Sequence, residues 1–334
     1  MTIWTIQSQF VKAQVQSLGG MLGPAWFRIG ARSVQPFAVA PWGDDSGPEY
    51  LELPNILKRL RGEWACVPFG IEDESRPLPR DWLPVQPLVG VDPLPHGRSS
   101  NAEWQLADIW GDRLDLILTY PEPHAVRLVK RRISASGREP RLNISLAIEV
   151  RRPCELPIGV HPTFHLPARP RQALLVLGES ARAWTSPVPL ESPIARFRSD
   201  ARGVSLDRIP LLDGGSEDIT QLPLPYPAEE IVLVPNTTGH AALQNLEERY
   251  TVSLSWDTRV FPACQLWLSN CGRSNYPWSS RFRALAIEPI CAAFDFGTLV
   301  SQLRGNPLWR AGLPCTVSLS PTEPFQTTYS IVVS

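Results

Sequence analysis

Apolar and polar residues alternate with a period of two along long stretches of this chain. Residues 112–120 read DRLDLILTY and put Leu114, Leu116, Leu118 and Tyr120 on one side. Residues 142–150, LNISLAIEV, do the same with Leu142, Ile144, Leu146, Ile148 and Val150. In residues 250–257, YTVSLSWD, the shared side carries Tyr250, Val252, Leu254 and Trp256. Successive side chains of a strand point to opposite faces, so this alternation predicts strands with one buried and one polar face. Shorter runs at 126–133, 174–178, 230–234, 264–269, 283–288, 314–320 and 325–333, bounded by Pro, Gly, Asn or Ser, predict further strands. Helical signal is sparse: 54–61 and 297–304 each predict a turn or two, too short to stand without tertiary support. No helix-length amphipathic segments separate the strands, so βαβ units and a parallel sheet are not expected. The pattern predicts an all-β chain, a large antiparallel β-sandwich with few short helices.

Composition sharpens this picture. The 334 residues include 35 prolines, which suits short strands and rigid crossovers, because proline removes a donor and clashes with the preceding helical turn. The prolines gather at 76–95, 186–193 and 221–227. Strand-like segments of similar composition continue on both sides of them. They therefore read as crossovers within a single β-sandwich domain spanning 1–334, not as linkers.

Charge and motifs narrow the function classes. A formal net charge of −1 argues against a nucleic-acid partner. No apolar run approaches the ~18 residues that span a bilayer, and the first residues lack a basic segment followed by an apolar core. A soluble, cytoplasmic protein without a membrane partner is expected. Cys66, Cys154, Cys264, Cys271, Cys291 and Cys315 are scattered without a C-x-x-C pair, which reads as reduced and structural. Their spacing does not suit zinc, and no metal is expected. The sequence has no P-loop, G-x-G-x-x-G, G-x-S-x-G or H-E-x-x-H motif, so nucleotide chemistry is unsupported.

The candidate chemistry lies in a few side chains. Of five histidines, His96 sits in a Pro/Gly loop, PHGRSSNAEW, and His161 in GVHPTFHL, four residues before His165. Pro162 argues against a helical metal-binding pair there. Glu288 follows the apolar Leu285-Ala286-Ile287 and precedes Pro289; desolvation at such a place raises a carboxyl's pKa and makes it a better base near neutral pH. A glutamate at a strand end in solvent is the plain alternative. Arg61, in LRGEWACVPFG, reads as a guanidinium beside aromatic surface, or as an exposed salt bridge. Trp267, in QLWLSN, is a core residue or a stacking surface for the C–H face of a sugar.

In order along the chain, five pieces resemble the aldose 1-epimerase (galactose mutarotase) family. They are Gly19-Gly20, Arg61 with Pro68-Phe69-Gly70, His96-Gly97 followed by Trp104, His161-Pro162-Thr163-Phe164, and Glu288-Pro289, covering roughly residues 15–330. The resemblance implies a galactose mutarotase-like supersandwich that interconverts the α and β anomers of a hexose without metal, cofactor or redox chemistry. It implies Glu288 as the base toward the C1 hydroxyl and His161 as an imidazolium acid toward the ring oxygen, with His96 and Arg61 holding sugar oxygens. The segment around His161 lacks the family's usual Asn, Thr and Tyr, which points to a divergent branch. Glu229 or Glu230 is the nearest stand-in for the family's sugar-gripping aspartate. Arg28, Arg32, Arg98 and Arg273 lie near matched positions, and two or more converging on one pocket would indicate a hexose 6-phosphate. The other readings are a non-catalytic carbohydrate-binding sandwich and a hydrolase or lyase, although a hydrolase normally uses two carboxylates. The partner is expected to be a small-molecule sugar; the oligomeric state is left open.

Overall fold

A computed structural model describes residues 1–73, 75–83, 92–178, 180–191 and 193–334. Residues 84–91 of the proline-rich stretch 76–95, and Ser192 of the stretch 186–193, lie outside the described residues. Two large antiparallel sheets face each other. The nine-stranded sheet runs in the order Gln221–Leu222, Ala173–Val176, His240–Asn245, Tyr250–Trp256, Phe325–Val333, Arg141–Val150, Val126–Ala135, Arg113–Thr119, Gln105–Trp110. The eight-stranded sheet runs Val204–Ser205, Arg182–Thr185, Ala228–Pro235, Ala263–Asn270, Arg283–Cys291, Ile158–Val160, Ala65–Cys66, and Thr163–His165 also pairs with Arg283–Cys291. The first 34 residues form a separate four-stranded sheet.

The period-two pattern explains the nine-stranded sheet. Each apolar residue named above for 112–120, 142–150 and 250–257 is buried. Leu116, Ile144, Leu254 and Ile331 pack against Val232, Leu266 and Ile287 of the opposite sheet in one core. The expected antiparallel sandwich is therefore observed. The eight-stranded sheet differs, because its second face is covered too. Ile231, Trp267, Ala286 and Ile290 on that face join a second cluster with Trp42, Ile56, Phe294 and Leu308 from the connecting segments. Burial on both faces is why its strands read as almost continuous apolar runs.

Short helices occupy Asn55–Lys58 and Gly297–Gln302, inside the two predicted segments. The strand expected to end at residue 288 runs on to Cys291. Ile287 donates its N–H to the Pro162 carbonyl at 2.9 Å, so Pro289, two residues on, has its missing donor on that same side. There the neighbouring chain breaks between Ile158–Val160 and Thr163–His165, and no ladder donor is needed. Several strands lie outside the predicted runs, among them Ile3–Gln7, Val11–Gln16, Leu22–Ile29, Gln105–Trp110, Arg182–Thr185 and His240–Asn245. Val11–Gln16 does alternate, with Val11, Ala13 and Val15 buried, although its pairing with the next strand shifts register between Ala13 and Val15. Gln105–Trp110 is exposed on both faces and carries no period to read. Among the described residues, no helix is long and apolar enough to cross a membrane.

Candidate active site

The covered face of the eight-stranded sheet carries the site. Its three central strands align Leu233, Gln265 and Glu288 in one cross-strand row and Ile231, Trp267 and Ala286 in the next. Above these rows lies a cavity of about 330 Å³, bounded by Gln265, Glu288, Trp267, His161, His96 and Trp64 among others. That is the small end of the ~300–1,000 Å³ range of small-molecule sites.

Glu288 is fully buried on the cavity floor. Gln265 Nε2 donates to its Oε2 at 2.9 Å, while Oε1 accepts no hydrogen bond from the described residues. Burial holds the carboxyl well above its usual range, and the Gln265 hydrogen bond opposes that rise only in part. His161 Nε2 stands 3.4 Å from the free Glu288 oxygen. The His161 ring stacks on the Trp64 indole, with centroids 4.1 Å apart and planes 17° apart. Its Nδ1 is 3.1 Å from the Thr163 hydroxyl. Burial, reinforced by His96, pushes its pKa well below the ordinary histidine value. Burial thus works against the charged form of both partners, the imidazolium on His161 and the carboxylate on Glu288.

His96 owes its place to two successive left-handed residues, φ 56° at His96 and 73° at Gly97. A Cβ on Gly97 would stand 2.2 Å from the Val67 carbonyl oxygen, so the pair has to be His-Gly and not His-Xaa. A left-handed histidine is strained and is held by its surroundings. Its N–H donates to the Gly70 carbonyl at 2.7 Å, and the Gly70 N–H donates to its Nδ1 at 3.3 Å. That second bond assigns the ring proton to Nε2. Burial lowers the pKa of His96 to about 4, so it is a neutral donor at neutral pH. Its ring meets that of His161 edge-on at 5.3 Å.

Glu288, His161, His96 and Trp267 thus line one cavity, whereas Arg61 and Glu229 do not. Glu229 lies behind Trp267, accepting from its Nε1 at 3.2 Å and from the Ser269 hydroxyl at 2.7 Å. Glu230 points the other way and accepts from the backbone N–H groups of Arg196 and Phe197. The Arg61 Nε donates to the Arg59 carbonyl at 3.1 Å. His165 is bound to Glu248 at 2.6 Å and does not line the cavity. Of the four arginines considered for a phosphate, only Arg273 lines it. Arg273 donates to Glu191 at 3.0 Å and lies over the Trp278 ring at 4.7 Å. Arg28 lies over Phe10, and Arg32 and Arg98 donate to the carbonyls of Glu248 and Thr119.

Gln265, Trp64 and Asp295 are among the lining residues not singled out from the sequence. Gln265 carried a usable signal, being a polar residue inside the apolar ACQLWLSN run and two positions from Trp267. Asp295 takes both terminal nitrogens of Arg76 at 2.9 Å. Burial alone would raise the Asp295 carboxyl, but the Arg76 ion pair outweighs it and holds the group below its usual range. Among the described residues, no three His, Cys, Asp or Glu side chains are grouped to hold a metal ion.

No family model matches the sequence, and no curated protein matches it by sequence. Solved structures do match. A protein from Escherichia coli K12 provisionally called an aldose 1-epimerase is 18% identical, with a TM-score of 0.64 over 100% of this chain and 99% of that one. An aldose epimerase homologue from C. elegans is 13% identical, with a TM-score of 0.64 over 100% and 98% of the two chains. A galactose mutarotase related enzyme from Lactobacillus acidophilus is 13% identical, with a TM-score of 0.62 over 100% and 97%. From end to end, the chain has the galactose mutarotase-like fold.

Proposed function

We propose that this protein is an aldose 1-epimerase acting on an unphosphorylated hexose, with Glu288 as base and His161 as acid. The observation that carries the reading is the side-by-side placement of the two groups, 3.4 Å apart at the floor of an aromatic cavity. The hydroxyl and ring oxygens of a hemiacetal share one carbon, so a base for one and an acid for the other must stand next to each other. In the reactive state Glu288 is the carboxylate and His161 the imidazolium. The carboxylate takes the O1 proton, the bond from C1 to the ring oxygen breaks, and the ring oxygen takes the His161 Nε2 proton. Rotation about C1–C2 and the reverse transfers close the ring on the other face. The pair carries one proton in both states. General acid and general base each contribute ~10²–10⁴-fold.

His96 Nε2–H serves as a donor to a sugar oxygen, and the free oxygens of Gln265 and Glu288 accept from hydroxyls. An unphosphorylated sugar is favoured because Arg273, the one lining arginine among the described residues, is already paired with Glu191, and Arg76 with Asp295. The test is anomer exchange of glucose, galactose and glucose 6-phosphate, followed by NMR magnetisation transfer or optical rotation. Acceleration of a free hexose that Glu288→Gln and His161→Asn abolish is the expected result. Sugar binding without acceleration would make the protein a binding module, and unchanged exchange in both variants would overturn the two roles.

A further inference from the structure

Behind the cavity, between the two large sheets, lies a charged pair closed to solvent. Arg131 sits on the inward face of Val126–Ala135 among Val129, Ile133 and Ala135, and meets Glu63; both side chains are 0% exposed. Tyr329, from Phe325–Val333 of the same sheet, donates its hydroxyl to the other Glu63 oxygen. Arg131 also donates to the Gly20 carbonyl at 2.6 Å. An ion pair buried this deeply is weak as a source of stability, since apolar residues of similar volume would serve as well or better.

The next residue along the chain from Glu63 is Trp64, whose indole stacks on His161 and whose carbonyl accepts the His161 N–H at 2.9 Å. His161 needs such support more than Glu288 does. Glu288 stands mid-strand, paired with Gln265 of Ala263–Asn270. His161 lies where the neighbouring chain leaves the sheet, between Ile158–Val160 and Thr163–His165. Trp64 itself precedes a two-residue edge strand, Ala65–Cys66. Glu63 is tied to Leu22 by reciprocal backbone bonds of 2.8 and 2.9 Å, and its carboxylate is fixed from the opposite sheet. We infer that Glu63, Arg131 and Tyr329 are positioning residues that set the His161 ring through Trp64.

The inference rests on the proposed role of His161, so its test needs a readout that activity does not supply. The imidazole ¹⁵N resonances of His161, identified by their loss in His161→Asn, are that readout. Tyr329→Phe and Glu63→Gln are expected to shift these resonances and to lower kcat roughly 10- to 100-fold, the scale on which misplaced reacting groups lose rate. KM should stay within about twofold of wild type, because the sugar contacts remain. Trp64→Phe, which keeps a stacking ring, should retain most of kcat; Trp64→Leu should lose it. Folded Tyr329→Phe or Glu63→Gln protein with unmoved resonances and wild-type kcat would overturn the inference. So would Trp64→Leu with wild-type kcat. The Trp64 pair decides the matter if the two core variants do not fold. If the wild type accelerates no anomer exchange, the proposed function fails, and the resonances alone decide whether the cluster sets His161.

Discussion

The two large sheets obey the same backbone geometry and use it differently. In the nine-stranded sheet, Arg141–Val150 and Tyr250–Trp256 alternate, with large apolar residues inward and mostly polar ones, such as Asn143, Ser145, Glu149 and Ser253, outward. In the eight-stranded sheet, all eight residues of Ala263–Asn270 are buried; of the polar ones, Gln265 and Ser269 face the covered side, while Asn270 on the other face donates to the Leu224 and Tyr226 carbonyls. A polar group taken from water without a full set of partners costs ~1–3 kcal/mol, so such residues on a covered face need an explanation that the wet face never asks for. Here the explanation is a cavity. The contrast separates residues that make the fold from residues that the fold keeps dry for chemistry.

The largest effect that would sharpen this contrast is at Glu288. Glu288→Gln should lower anomer exchange ~10²–10⁴-fold and at the same time raise stability near pH 8. The folded carboxyl holds its proton well above the unfolded value, so its contribution is fully present below the unfolded pKa and is lost as pH rises through the folded one. The stability gain should therefore vanish toward about pH 4 in urea titrations. A variant that loses stability and keeps activity would break the comparison. Leu266, the neighbour of Gln265 on the inter-sheet side, should behave in the opposite sense. Leu266→Ala should cost ~2–5 kcal/mol in the same titrations and leave exchange per folded molecule near wild type.

A smaller effect concerns His96. Its folded pKa of about 4 lies below the ordinary 6.5. The unfolded chain therefore binds more protons in that window, and the stability His96 lends above pH 6.5 is lost as pH falls toward 4. Each tenfold drop in proton affinity on folding is worth ~1.4 kcal/mol, which makes the loss on the order of 3 kcal/mol. His96→Gln should flatten that part of the stability–pH curve, and an equally steep curve would contradict it. The smallest change is expected on the wet face. Ser145 and Thr328 are cross-strand partners there, and replacing either with alanine should move stability by no more than ~0.5 kcal/mol.

Much of the sandwich was legible because a strand's period is local. Any short window in 113–119 or 142–150 shows which side is inward. His96 and Glu288 were legible for a related reason: His-Gly and Glu-Pro are local backbone constraints, one demanding left-handed φ, the other a strand position that needs no donor. What the sequence concealed is register. Gln265 meets Glu288 from 23 positions away, and Glu63 meets Arg131 from 68. No periodicity within either segment encodes those pairings. Glu229 shows the same limit at one residue. Its position on the strand suits the site face, yet Trp267 and Ser269 turn its carboxylate behind the cavity. Arg61 stands near Trp64 and Phe69 in sequence, but its Nε donates to the Arg59 carbonyl, and it does not line the cavity.

The side-by-side pair of Glu288 and His161 has one more consequence under the proposed chemistry. Acid and base approach the same edge of the hemiacetal, so opening erases the stereocentre while leaving both faces of the aldehyde within reach of the same ring oxygen. Whichever face closes, the proton returns to the group that gave it. A site built this way keeps no memory of the anomer that entered. It can hasten the approach to the solution's own anomer ratio from either side, and it has no means of shifting that ratio.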